Sequence, residues 1–405
     1  MIKLENARFI FNRLLAAVFI FLWFGLLATP SYIQFFMPNS EKVNSENREL
    51  AVLPGTPITL QERLSWPGKM DRYLNDHFGL RIEMIEWNNL FHFNVFGHLN
   101  SVQLTSGKND FLFFNSHSAQ DPLSMIHFLC GRRTKAADHQ RMATTASAFM
   151  HSALSAIPNS HFLVVPTKPV VYQEMLPDWL QQQCVGLTPP VPEIVGQLKR
   201  DPSLTTKVIF PLSEMRAIAS QHEFYTKATF HWTGDGARPV AQLIASEFFH
   251  LPSISTLSTV PKREVADMQR FLPGVLLEDS FKEPDYQKAG ITECRGDTCF
   301  PEFSSASTKI GDLSRFTQNE KKGPKLLVIS DSFGRGIAGM FSEYFGEVWH
   351  ISVNNFKTLT PAELRAVQDI SLNQFKPDHV LFLWHDFSIG YFDQNAKVFL
   401  TAAKN

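Results

Sequence analysis

Beyond about residue 101, short and continuous apolar runs alternate with stretches whose apolar residues recur at helical spacing. Residues 162–165, 208–210, 326–329, 348–353 and 379–384 read as strands with no polar alternation. Such runs suit strands buried on both faces, as in a parallel sheet covered by helices. Helices are predicted over 137–157, 237–249, 337–345 and 361–375, and the alternation places residues 101–400 in the α/β class with a parallel sheet. Residues 253–322 are weakly patterned and read as an insertion. Residues 60–96 carry a helical period broken near Phe78-Gly79, which predicts helices packing under the main domain. The phrase Tyr73-Leu74-Asn75-Asp76-His77 reads as a capped helix end.

The N-terminal pattern differs. Leu14 through Ala28 is an unbroken apolar run, with mostly apolar residues continuing to Met37. That length approaches the ~20 residues a bilayer span requires. Lys3, Arg8 and Arg13 precede it and Glu41 is the first charge after it, so the positive-inside rule keeps residues 1–13 in the cytoplasm. Leu26-Leu27-Ala28-Thr29-Pro30 is a poor cleavage site, which favours an uncleaved signal anchor over 14–36 rather than a removed signal peptide. A polar stretch, 38–48, opens a linker and helical segment over 37–100. The expected location is the inner membrane, single-pass, with the main domain in the periplasm.

Composition changes this picture little. A net charge of −1 in 405 residues leaves no electrostatic footprint for nucleic acid. All four cysteines lie beyond the apolar run. Cys294 and Cys299 flank a Gly-Asp turn and read as a small disulfide loop, with Cys130–Cys184 as the second bridge ahead of the other two pairings. No histidine sits at ligand spacing beside the pair, so no metal is expected.

Candidate chemistry begins at Ser332. The run Leu326 to Ile329 breaks at Ser330-Asp331-Ser332-Phe333-Gly334, a strand-to-helix turn that resembles a nucleophile elbow without the Gly-x-Ser-x-Gly pattern. A serine there can attack a carbonyl, or it can simply cap the helix that follows. His231, in Thr229-Phe230-His231-Trp232-Thr233-Gly234-Asp235-Gly236-Ala237, is the best base among 14 histidines. Pro239 predicts an irregular first turn in the helix beyond it.

His231-Trp232-Thr233 followed far downstream by Asp331-Ser332-Phe333-Gly334 resembles the alginate O-acetyltransferase-related (DHHW-type) branch of the SGNH hydrolases. Asn75-Asp76-His77-Phe78-Gly79-Leu80-Arg81, Gly107-Lys108-Asn109-Asp110-Phe111, Pro166-Thr167-Lys168-Pro169 and Lys376-Pro377-Asp378 agree with it in order. The histidine precedes the serine, matching the circularly permuted arrangement of that branch. The resemblance implies a three-layer SGNH-like sandwich and transfer of acetyl groups to an exported polysaccharide through an acetyl-serine. Turn amides after Ser332 would hold the oxyanion. It implies no cofactor. The implied partners are an integral-membrane acetyl-donor protein and other polysaccharide-export components, and water as acceptor would make the site an acetylesterase.

Two positions depart from the family. Thr229 stands where the family has the acid that orients the histidine, so Asp235, Asp331 or Asp386 would have to replace it, or Thr229→Asp would restore activity. Without any acid the chain would be a non-catalytic polysaccharide-binding or assembly subunit. Trp384-His385-Asp386 replaces a Glu-Arg pair at the end of the last strand, where His385 and Asp386 could line the pocket or supply Ser332 with an alternative base.

Overall fold

The computed structural model describes residues 2–36, 50–252, 257–320, 323–390, 397 and 399–400. The polar stretch 38–48 lies outside them. The chain divides into two units, residues 1–100 with 269–276, and 101–268 with 277–405.

In the first unit, α1 (Ile2–Phe36) contains a 19-residue apolar stretch, Asn12–Pro30, of mean hydropathy 1.9. At 1.5 Å per residue that stretch is about 28 Å long, enough to cross a bilayer core. Helix α2 (Leu60–Asp76) starts at a capping box: Glu62 N–H donates to Thr59 Oγ1 and Thr59 N–H to Glu62 Oε2. It ends where the His77 amide donates to the Tyr73 carbonyl. Helix α3 (Arg81–Phe96) stops at Gly97, whose φ of +62° few other residues tolerate. The buried Asn89 side chain on α3 donates to the Pro273 carbonyl at 2.9 Å, which ties residues 269–276 into this unit.

The second unit opens with a hairpin, β1 (Leu104–Ser106) and β2 (Leu112–Phe114), and α4 (Ala136–Ala156) follows. Strands β3 (Ser160–Val165) and β4 (Val208–Ile209) come next, then α5 (Arg238–Glu247) and a second hairpin, β5 (Thr259–Val265) with β6 (Glu278–Pro284). Strands β7 (Ile291–Arg295), β8 (Leu313–Gln318), β9 (Lys325–Ser330) and β10 (Glu347–Ser352) precede α6 (Pro361–Asp369) and β11 (His379–His385). The main sheet runs β4-β3-β11-β9-β10-β8-β7.

Its five strands from β4 to β10 are parallel and coincide with the five apolar runs read as strands, two of which run one residue past their strand. Every residue of β3, and all but the first of β9, β10 and β11, is buried, so both faces of the sheet are covered. The architecture is mixed α/β around a mostly parallel sheet. Residues 253–322 do more than interrupt it: they supply the β5–β6 hairpin and the two antiparallel strands, β8 and β7, that finish one sheet edge.

Two of the predicted helices, 337–345 and 361–375, are less regular than expected. The second ends at Asp369 and continues as a π-helix, Ile370–Gln374, while the turn beside Pro239 is irregular as expected. The stretch over 337–345 is a short α-turn, Gly334–Ile337, continued by a 3-10 segment, Ala338–Glu343. Pro239 falls in the first turn of α5 behind a 3-10 turn, Gly234–Ala237, because proline lacks the amide an interior turn needs. Both disulfides, Cys294–Cys299 and Cys130–Cys184, are formed.

Candidate active site

Strand β9 ends at Ser330 and delivers Ser332 to the carboxyl edge of the sheet, where open parallel sheets bind ligands. The Ser332 side chain is half-buried and its Oγ lies 2.8 Å from His231 Nε2. The other ring nitrogen, Nδ1, lies 2.6 Å from Asp267 Oδ2. A carboxylate can only accept, so Nδ1 carries the proton and Nε2 is the acceptor for the serine hydroxyl. Asp267 is fixed in turn, because the Phe230 amide donates to its Oδ1 at 2.7 Å and the His231 amide to its Oδ2 at 3.2 Å. Burial pushes the Asp267 pKa up, but the His231 ring and these amides outweigh it and hold the carboxyl below the usual range.

Asp267 falls in the weakly patterned segment, 36 residues after His231. Thr229 does not contact the imidazole through any described bond. Its hydroxyl donates to Asp279 Oδ2 at 2.7 Å, and Asp279 also accepts from the Thr226 hydroxyl and the Ala228 amide. Lys168, fully buried, donates to the Lys227 carbonyl at 2.6 Å and the Thr229 carbonyl at 3.2 Å, with its ammonium over the Phe111 and Phe113 rings. Burial drives the Lys168 pKa down to about 7, against the pull of Asp279 and Asp267. The loop that presents His231 is therefore held from beneath by Asp279 and Lys168.

The other acids proposed to orient His231 are engaged elsewhere. Asp235 pairs with Arg238 at 2.6 Å. Asp386 accepts from the Thr167 amide and hydroxyl at 2.9 and 2.8 Å, and burial raises its pKa to about 6. Asp331 takes the His385 ring at 2.5 Å and the His385 amide at 2.9 Å. Among the described residues no hydrogen bond joins His385 to Ser332. His385 stacks on Phe333 at 5.1 Å and 21°, and Phe333 also lies 4.8 Å from the His231 ring.

The amides expected to hold an oxyanion are also largely spent. Phe333 N–H donates to Asp331 Oδ1 at 2.9 Å and Gly334 N–H to the Asp331 carbonyl at 3.2 Å. Among the described residues the Ser332 amide has no recorded acceptor, which leaves it as the donor at the elbow. Trp232 locks the two halves of the site together: its Nε1–H donates to the Phe333 carbonyl at 2.8 Å. A Cβ at Gly336 would come within 2.4 Å of the Trp232 ring, so that position needs glycine.

Among the described residues no group of three or more His, Cys, Asp or Glu side chains is arranged to hold a metal. Fold and site together define an α/β protein with a serine–histidine–carboxylate hydrogen-bond series at the carboxyl edge of its sheet, an arrangement suited to acyl transfer.

No family model and no curated protein matches the chain. Among solved structures it is similar to a DHHW family protein from Eubacterium siraeum, at 19% identity over 65% of this chain and 88% of that one, TM-score 0.45. It is also similar to Bacillus cereus PatB1 carrying a sulfonyl adduct (12%, 71% and 97%, TM-score 0.44). A third is the O-acetyltransferase domain of Pseudomonas putida AlgJ (12%, 73% and 98%, TM-score 0.42). The functional reading rests on the site itself.

Proposed function

We propose that the chain is a membrane-anchored, periplasmic O-acetyltransferase of SGNH type, acting on an exported polysaccharide through an acetyl-serine intermediate. The observation that carries this reading is the series from Ser332 Oγ to His231 to Asp267, at 2.8 and 2.6 Å. His231 Nε2 takes the proton from Ser332 as Oγ attacks the acetyl carbonyl, and Asp267 stabilises the imidazolium. The Ser332 amide donates to the oxyanion. His231 then gives its proton to the leaving group, and acetyl-Ser332 remains. A sugar hydroxyl repeats the cycle: its proton passes to His231, its oxygen takes the acetyl group, and Ser332 regains its proton. Water in place of the sugar gives acetylesterase activity.

The apolar stretch of α1 supports anchoring, and the two disulfides suit an oxidising compartment. An integral-membrane protein would deliver acetyl groups across the bilayer. The threonine at 229 favours a non-catalytic subunit, and Asp267 beside His231 Nδ1 supports the catalytic reading over it. The test is turnover of a chromogenic acetyl ester by the purified full chain. Ser332→Ala and His231→Ala should each cost about 10⁴-fold or more. Turnover that survives both substitutions would sink the assignment.

A further inference from the structure

Among the described residues, the 16-residue helix α3 exposes seven large apolar side chains, whereas the whole second unit exposes six. Four of the seven form a line. Met84, Trp87, Phe91 and Val95 follow one another at steps of three or four residues, which puts them on one side of the helix. They are 56% to 75% exposed. The charges of α3 are Arg81, Glu83 and Glu86, and none of them falls within that line.

The opposite side of the helix is occupied. Asn89 is buried and donates to the Pro273 carbonyl, and a Cβ on Gly274 would stand 2.6 Å from the Glu86 carbonyl oxygen. Helix α3 therefore has one side packed within its own unit and one apolar side open to solvent. A contiguous apolar patch of that kind marks a contact surface.

What covers it follows from where the chain comes from. The Ala51 amide donates to Asp76 Oδ2 at 2.8 Å, which fixes the incoming chain at the last residue of α2, just before α3 begins at Arg81. Only residues 37–50 separate Ala51 from α1, whose apolar stretch has the length of a bilayer span. Fully extended, that connection covers at most about 55 Å. A bilayer crossed by α1 is thus always within reach of α3, while a second copy of the chain or another protein must first be met by diffusion. The residue types agree, since an indole in a line of apolar side chains suits the boundary between headgroups and acyl chains.

We propose that Met84, Trp87, Phe91 and Val95 seat α3 in the periplasmic headgroup layer of the membrane that α1 spans, with the helix axis along the surface. The inference rests on the anchoring part of the proposed function and is independent of the chemistry at Ser332. Because apolar area and not charge drives this contact, added salt leaves it in place.

The test uses the full chain in bilayer nanodiscs of phosphatidylethanolamine and phosphatidylglycerol. All four native cysteines are paired, so one introduced cysteine alone takes a nitroxide label. Labels are placed through Phe91→Cys and Val95→Cys on the line, Leu22→Cys in α1, and Lys199→Cys on the exposed surface of the second unit. Power saturation then compares access of oxygen, which concentrates in lipid, with access of a water-soluble nickel chelate. Labels at positions 91 and 95 should lie about 5–10 Å below the headgroup boundary at low and high salt alike, with position 22 deeper and position 199 in water. Labels at 91 and 95 as open to the nickel chelate as the one at 199 would overturn the proposal. Shielding from both probes would overturn it too, because protein would then cover the line. A water reading at 22 with lipid readings at 91 and 95 would sink the anchoring reading and leave the docked helix standing.

Discussion

Two histidine–aspartate pairs meet the Phe333 ring, and almost everything that distinguishes them lies outside the pair itself. His231 meets Asp267 at 2.6 Å and His385 meets Asp331 at 2.5 Å, in both cases through Nδ1 and Oδ2. Each aspartate also accepts a backbone amide from its own histidine. Burial pushes both carboxyls up, yet the imidazole and amide donors hold both below the usual range. The difference is what the far side of each ring faces. His231 is 23% exposed and aims Nε2 at a half-buried serine hydroxyl. His385 is 8% exposed, with Phe333 stacked on it and the Ser388 hydroxyl 2.9 Å from its Nδ1 and 3.2 Å from its Nε2. A histidine–carboxylate pair becomes a candidate base only when its second nitrogen reaches a group that substrate can also reach. The strand-end pair instead fastens the serine turn to β11, since Asp331 joins the Phe333 amide to both the ring and the amide of His385.

The largest effect that can test this contrast is Asp267→Asn. The amide can no longer hold the imidazole in the required tautomer, and kcat should fall by about four orders of magnitude, roughly 5.5 kcal/mol. Steady-state turnover of the acetyl ester measures it, with thermal unfolding as the check that the protein stays folded. A loss under tenfold would mean that Asp267 is not the group behind His231, and the two pairs would lose their distinction.

His385→Ala should act on stability instead. It strands the Asp331 carboxylate in a buried site, and breaking such a pair costs about 3–5 kcal/mol. Denaturant unfolding should show that loss, while kcat of the folded fraction changes far less than in Asp267→Asn. The pH dependence adds a sign. With its folded pKa held below its unfolded value of about 3.9, Asp331 contributes stability that is present at neutral pH and lost as pH falls through that lowered value. In His385→Ala that contribution shrinks or reverses, so acid unfolding should begin at higher pH than in the parent. An unchanged acid midpoint would contradict the fastening role.

These pairs were unequally legible in the sequence, and the reason is physical. Ser332 and His231 sit in short local phrases beside a continuous apolar strand, and the five parallel strands are themselves runs buried on both faces. Asp267 has no such frame. It lies in a segment whose strands are mostly exposed, such as β7 and β5, so their apolar period is weak. Its partner is 36 residues away, reached only by tertiary folding. The acids weighed for that role from the sequence, Asp235, Asp331 and Asp386, all lie outside that segment. Asp331 was legible as a site residue but not as the partner of His385, because the pairing depends on β9 and β11 being neighbours in the sheet. Pro166-Thr167-Lys168 was visible as a phrase, while its work, anchoring Asp386 and the carbonyls under His231, needed coordinates.

Thr229 gives the smallest and sharpest test. Read from sequence, it marks a missing acid, and Thr229→Asp should then raise activity. In the structure its hydroxyl instead donates to Asp279 Oδ2, which already gathers the Thr226 hydroxyl and the Ala228 amide in a buried setting. An aspartate at 229 would remove that donor and set a second carboxylate against the first. Losing a hydrogen bond to a charged group costs about 1.5–3 kcal/mol. The substitution should therefore lower stability by about that amount and leave ester turnover no faster than in the parent. Thr229→Ser, which keeps the hydroxyl, should stay within about 1 kcal/mol, since surrounding contacts change by a single methyl group. A rise in kcat for Thr229→Asp would restore the local reading of the motif. It would also mean that the acid supplied from residue 267 is an imperfect substitute for one placed two residues before the histidine.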